Sequence, residues 1–376
     1  MRYHGTDIDG VSLEPEKLEI RGTSLTDLIG GIDFIGSIPF TLTGERAVPE
    51  SLAILDAALA GWLGSIVAEH PAFRLAALAA ESGAGMAQAV TAGLMGFDKA
   101  AAKQAFAGMD FLPADAAEGL AVTATIPALL AAWRRHKPGT KLAKDWQPPQ
   151  AGGFVDRALA AVADAPPPSP AARIFFDDAL VTWIGGFGYV PPSIMIPRIS
   201  IGTGVPVYHA LAAGFGAAGP MHIGACEQAT GMIMAALAMP QGTPEQRIKG
   251  VIDAVLAKGM RIGGFGHPLF LEDPRPPRLR QRAAELGLAH PALELFEAAC
   301  AVMLAEHKLK PNVDFATGTA FAMAGIRDPG AAAGIAMMGR TIGMLAHIIE
   351  RRARPPFGVT SATARKYLDM VPKGWL

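Results

Sequence analysis

GAAAGIAMMGRTIGMLAHIIERR, residues 330–352, decides the fold class. It has the length of a long helix, and small or apolar residues occupy nearly every side of it until the terminal Glu-Arg-Arg. A helix that is apolar all round belongs inside a large helical protein or at a subunit interface. Each helical glycine costs ~1 kcal/mol relative to alanine, so their use here points to close helix–helix approach. ESLAILDAALAGWLGSIVAE (50–69) reads the same way. Elsewhere Ala, Leu, Met and Gly dominate, and alternating Val/Ile/Thr runs are scarce. The expected class is all-α.

Proline and glycine punctuate the helices. PPQAGGF (148–154) and APPPSP (165–170) read as loops. In QGTPEQRIKG (241–250), Thr243 is placed as an N-cap with Pro244 at the first helical position. LEDPRPPRLRQR (271–282) is a proline-broken, basic run leading into a helix. Sliding the chain by 121 residues pairs Asp56 with Asp177, Trp62 with Trp183, Gly64 with Gly185 and Pro71 with Pro192. Duplication and Ala/Gly-rich composition both account for such matches.

The chain has 376 residues, enough for two domains, and a chain this long buries roughly 75% of its unfolded surface. Hydrophobic residues are 51% and charged ones 18%, against a usual ~25%, which excludes a disordered chain. The net charge of −1 gives no electrostatic reason to expect nucleic acid or an acidic membrane as partner. Near-neutral charge on an apolar composition favours self-association. Two cysteines, Cys226 and Cys300, form neither a disulfide framework nor a zinc motif. With a polar N-terminus, they indicate a reducing cytoplasm. The stretch from Ile199 to Cys226 lacks Asp, Glu, Lys and Arg, but its Gly, Pro and His residues suit a buried helix and functional loop better than a membrane span.

Four segments carry candidate chemistry: GAAGPMHIGACEQA (216–229), IGGFGHPLFLEDPR (262–275), KPNVDFATG (310–318) and ERRARPPFG (350–358). The first two set His222 and His267 in glycine-rich turns, which hold a side chain rigidly and admit a ligand. Structural roles are open to each candidate as well: a core histidine for His222, a loop histidine for His267, an N-cap for Asp314, surface cations for Arg275 and Arg354. GGFG lacks the pattern of a phosphate loop.

In this order the segments resemble the citrate synthase family. GPMH-x-GA is similar to its GPLHGGA, GFGHPLF to GFGHRVY, PNVDFATG to PNVDFYSG, and R-x-x-GMLAHIIE followed by Arg354-Pro355 to its closing pattern. The resemblance spans nearly the whole chain. It implies an all-α fold, with a large helical domain over 1–222 and 326–376 and a small domain over 223–325 that closes on the cleft. Gly219-Pro220 and Gly325 are then hinge positions. It also implies a homodimer, an acyl-CoA and a small oxo acid as partner molecules, coenzyme A thioester as substrate rather than bound cofactor, and no metal. Asp314 would be the base, His222 the donor to the thioester enol oxygen, and His267 the donor to the acceptor carbonyl. Arg275 and Arg354 would bind substrate carboxylate, and Ile262, Gly263, Gly264, Phe265 and Gly266 would wrap CoA.

The chain also departs from that pattern. The family's third, oxaloacetate-binding histidine falls at Gly186, within WIGGFGYVPPS (183–193), and no histidine occurs between His136 and His209. Ile223 replaces a glycine, Pro268 an arginine, and Leu271 a basic residue that contacts a CoA phosphate, for which Arg278 or Arg280 would substitute. VPPS (190–193) is similar to a segment of citryl-CoA lyase-like members. The expectation is carbon–carbon bond formation or cleavage beside a CoA thioester, lyase-like or synthase-like, with an altered acceptor pocket. A genuine citrate or 2-methylcitrate synthase and a non-catalytic acyl-CoA or organic-acid binder are the alternatives.

Overall fold

A computed structural model describes residues 6–13, 16–185, 187–188, 190–354 and the single positions 362, 365 and 366. Gly186, the residue at the missing-histidine position, and residues 355–361 lie outside the described residues.

The chain opens with an antiparallel sheet of β1 (Asp9–Leu13), β2 (Glu16–Ile20) and β3 (Thr23–Ser24), in which Asp9 faces Ile20 and Glu19 faces Ser24. The helical expectation did not include this sheet. Its sequence basis is short: Leu18 and Ile20 alternate inward, and Arg21 and Gly22, at φ +51° and +82°, make a two-residue hairpin turn.

Helices follow: α1 (Leu25–Leu28), α2 (Phe34–Thr43), α3 (Pro49–Ser65), α4 (Pro71–Glu81), α5 (Met86–Leu94), α6 (Lys99–Ala105), α7 (Ala116–His136), α8 (Phe154–Val162), α9 (Pro170–Val181), α10 (Pro192–Ile201) and α11 (Val207–Gly216). The second stretch contains α12 (Gly224–Leu237), α13 (Pro244–Leu256), α14 (Arg275–Glu285), α15 (Pro291–Val302), α16 (Val313–Met323) and α17 (Pro329–Arg352). Proline opens many of them, where its missing N–H costs nothing. Thr243 caps α13 as expected, in a capping box with Gln246.

α7 and α17 are long and apolar enough to cross a bilayer, but both are sheathed by the other helices. They cross antiparallel at the centre. Gly119 lies against Leu345, the Thr123 and Thr341 hydroxyls are 2.8 Å apart, and Gly334 lies against Leu130. A Cβ at Gly119 or Gly334 would overlap the facing leucine.

The 121-residue offset is structural. It maps α3, α4 and α5 onto α9, α10 and α11, and α2 maps onto α8 with an offset of one residue less. Equivalent helices take equivalent neighbours: α3 packs on α8 as α9 packs on α2, and α4 on α7 as α10 on α17. Even the caps correspond. Asp56 Oδ1 accepts the Phe154 N–H opening α8 (2.8 Å), and Asp177 Oδ1 accepts the Phe34 N–H opening α2 (2.5 Å).

Candidate active site

His222 leaves a tight turn in which Gly219 and His222 exchange two backbone hydrogen bonds of 2.9 Å. Its Nε2 lies 2.9 Å from the Ser193 hydroxyl and accepts the Ser193 backbone N–H at 3.4 Å. An N–H aimed at Nε2 makes that nitrogen an acceptor and leaves the ring proton on Nδ1. Burial, helped by the Arg340 charge, pushes this imidazole down to about 4. It is a neutral donor at neutral pH.

His267 takes the opposite tautomer. Its Nδ1 accepts the Leu269 and Phe270 N–H groups, both at 3.1 Å, so Nε2 carries the proton. Burial lowers its pKa. The ring stacks on Phe270 with centroids 4.9 Å apart and meets Phe187 at 5.0 Å.

The 262–266 loop is tied to the start of α16. Asn312 donates its N–H to the Gly264 carbonyl (2.8 Å) and its Nδ2 to the Gly266 carbonyl (2.7 Å). Gly264 lies so close to Phe315 that a Cβ there would sit 2.7 Å from the Phe315 Cβ. Ile262, Gly264 and Phe265 are buried, leaving Gly263 and Gly266 half-buried.

Asp314 is not the N-cap of α16. Asn312 is, and its Oδ1 accepts the Asp314 N–H at 3.0 Å. This leaves the Asp314 side chain available. Its Oδ1 is buried without a hydrogen-bond partner. Burial pushes the carboxyl up to about 6, against the attraction of Arg275.

Arg275 is no surface cation. It is 1% exposed, and Asp273 grips it with Nε–Oδ1 at 2.9 Å and Nη2–Oδ2 at 2.8 Å. Asp273 also accepts the Val313 N–H at 2.9 Å. Burial alone would raise the Asp273 carboxyl, but the Arg275 charge and hydrogen bonds hold it below its usual range. Arg275 Nη1 is buried and unpartnered. Such a group calls for an acceptor that is part of the site's business.

Arg340, in the middle of α17, was not singled out from the sequence. It is 3% exposed, donates Nη1 to the Gly185 carbonyl, and keeps a buried, unpartnered Nε. Burial and the neighbouring Arg275 charge lower its pKa to about 10, and Asp314 and Asp9 oppose that. Ser193 and Phe187 were likewise not singled out as site residues.

His222, His267, Asp314 and Arg275 are thus drawn together, with Arg340 added. Arg354 is exposed beyond the end of α17, 3.7 Å from Glu350. At 1.5 Å per helical residue it lies about 20 Å along the axis from Arg340. Arg278 and Arg280 are committed elsewhere: Arg278 to the Thr26 and Ile29 carbonyls and Glu285, Arg280 to Glu297 at 2.7 Å. Leu271 is 92% exposed, with its N–H on Glu16 Oε1 at 2.5 Å. Among the described residues no three His, Cys, Asp or Glu side chains gather as a cation cage.

The family model described as "Citrate synthase, C-terminal domain" matches residues 1–356. The chain belongs to the citrate synthase family. Similar curated proteins include citrate synthase 2 of Bacillus subtilis, 27% identical over 67% of this chain and 67% of that protein. The 2-methylcitrate synthase of Mycobacterium tuberculosis is 26% identical over 64% of this chain and 60% of its own length. The fold matches citrate synthase from Thermotoga maritima, with TM-score 0.69, 18% identity and coverage of 93% of this chain and 89% of that one. It also matches the Thermoplasma acidophilum citrate synthase solved with carboxymethyl coenzyme A and oxaloacetate, with TM-score 0.68, 17% identity and coverage of 96% and 92%. All-α architecture is therefore the citrate synthase fold.

Proposed function

We propose that this citrate synthase family member makes or breaks a carbon–carbon bond beside a CoA thioester, citryl-CoA lyase-like or synthase-like, with an altered oxo-acid pocket. The observation that carries this is the buried, unpartnered Asp314 carboxyl, which shares Arg340 with His222 and shares Arg275 and Asp273 with His267, two histidines whose tautomers are fixed in opposite senses. Asp314 removes the weakly acidic α-proton, and its raised pKa makes it a stronger base. His222 Nδ1–H holds the developing enolate oxygen. His267 Nε2–H polarises the acceptor carbonyl and protonates the new alkoxide. Each preorganised donor of this kind is worth ~2.7–4 kcal/mol of barrier. Cleavage uses the same groups in reverse.

The ligands of the Thermoplasma relative support an acyl-CoA and an oxo acid as the partner molecules. We further propose that 223–325 closes on the remainder about Gly219-Pro220 and Gly325, and that the chain works as a homodimer in the cytoplasm. The curated relatives' names favour, as a second reading, release of free citrate or 2-methylcitrate.

The test is loss of α-protons from acetyl-CoA in D2O. Wild type should exchange, at a rate that rises with pH about a midpoint near 6, because the carboxylate form is the base. Asp314→Ala should be slower by ~10²–10⁴-fold while still binding CoA. Equal exchange by both proteins would refute the reading. Citryl-CoA then separates the variants of it: oxaloacetate without free thiol marks a lyase, and free thiol marks a synthase.

A further inference from the structure

Phe187 stands where the acceptor must lie. Its ring centroid is 5.0 Å from that of His267 and 5.7 Å from that of Phe270, and the Arg275 guanidinium carbon is 5.5 Å from the same centroid. An apolar wall therefore joins the carbonyl-polarising donor to the carboxylate-binding cation. A phenyl ring offers a second carboxylate no hydrogen bond.

The cations tell the same story. Asp273 has taken two of the three donor atoms of Arg275, leaving Nη1. Arg340 has spent Nη1 on the Gly185 carbonyl, leaving Nε unpartnered. These two cations stand against Asp273, Asp314 and, beside Arg340, Asp9. Within one subunit these five groups sum to no more than zero, and Asp9 is shared with His347, Nε2–Oδ1 2.9 Å. A dicarboxylic acceptor would add two buried charges here, and burying unpaired charge is costly.

We propose that Phe187 selects a 2-oxo monocarboxylic acid as acceptor, with its carboxylate on Arg275 Nη1 and its apolar side chain against the Phe187 ring. This rests on the condensing or cleaving reading above. In the forward step Asp314 takes the α-proton of the acyl thioester. The released pair forms the bond to the ketone carbon, and the carbonyl π pair moves to oxygen, which takes the His267 Nε2 proton. The product is a 3-carboxy-3-hydroxyacyl-CoA, and cleavage is its reversal.

The experiment incubates the full chain with acetyl-CoA and, separately, oxaloacetate, 2-oxobutanoate or 3-methyl-2-oxobutanoate. It reads adduct formation by mass spectrometry and α-deuterium exchange in parallel. Wild type should favour an alkyl oxo acid over oxaloacetate by at least tenfold in kcat/KM. Phe187→His should shift that ratio toward oxaloacetate by at least tenfold. Phe187→Leu, which keeps the apolar wall, should hold it and controls for loop damage. Preference for oxaloacetate in the wild type, or an unchanged ratio in Phe187→His, overturns the proposal. Exchange without adduct from any acceptor overturns it but leaves the condensing chemistry standing. Loss of exchange as well sinks both.

Discussion

Ile223 follows His222 with φ at +68°, a left-handed conformation that suits glycine and crowds a β-branched side chain. Two terms compete there. Strain of this kind costs about 1–3 kcal/mol. The side chain is only 4% exposed, and deleting a buried aliphatic side chain costs about 2–5 kcal/mol. Burial wins, so Ile223→Gly should lose about 1–2 kcal/mol, the difference of those terms. Urea unfolding would read this as a lower midpoint at constant slope, and a higher midpoint would show that strain dominates. At this scale the legible residues were those inside short motifs: His222, His267, Asp314 and Arg275. Ser193, Phe187 and Arg340 owe their roles to partners 29, 80 and 155 positions away, at His222, His267 and Gly185. Arg340 opens the R-x-x-GMLAHIIE pattern and Ser193 closes VPPS, but neither pattern records the distant partner. Asn312 is different. An asparagine two residues before Asp314 is a strong N-cap signal, one that the sequence reading passed over when it left the cap open to Asp314.

One turn beyond Arg340 on α17, Gly343 faces the loop that leads to Phe187. A Cβ on Gly343 would press into the Ile184 carbonyl oxygen, with the Gly185 Cα close behind. That obstacle is backbone and cannot rotate aside. α17 therefore fixes Ile184 and Gly185 twice, by this close approach and by the Arg340 bond to the Gly185 carbonyl. Gly343→Ala should cost about 1–3 kcal/mol by overpacking and should lower condensation or exchange further than the stability loss explains. Gly61 in α3 is the control, because a Cβ there meets nothing within 4 Å. Gly61→Ala should stabilise by about 0.5–1 kcal/mol through helix propensity alone. Calorimetric melting of both variants decides it, and equal shifts would remove α17 from the argument. The existence of such helices was legible. The apolar stretch 330–352 became α17 almost to the residue, whereas 50–69 ended early, at Ser65, with α4 restarting at Pro71. The small sheet was missed because its evidence is a few alternating residues and one tight turn.

Across the whole molecule, the duplicated frame is chemically lopsided. The 121-residue offset sends Ser193 to Ala72 and His222 to Ala101, so the first half holds no counterpart of either. Only the second half admits a long insertion between its last repeated helix, α11, and its central helix, α17. That insertion supplies His222, His267, Arg275 and Asp314, while Ser193 and Arg340 come from the frame. Arg354 fits neither source, since it projects about 20 Å from Arg340 along α17 and is exposed. If it binds substrate carboxylate, geometry requires it to do so in the site of a second subunit, where it would join Arg275 on the acceptor's single carboxylate. That proposal gives a sharp outcome. Asp314→Ala and Arg354→Ala, each inactive alone, should recover activity when co-expressed with different tags. In a mixed dimer one site has lost Asp314 and the other keeps Asp314 while receiving an intact Arg354 from its neighbour. With half the dimers mixed and one site in two restored, recovery should approach about a quarter of wild type for a closed two-fold assembly. Purification through both tags should raise this to about half, because every dimer then has one complete site. An Arg354 that served its own subunit would give no recovery, because every site would lack either the base or the cation.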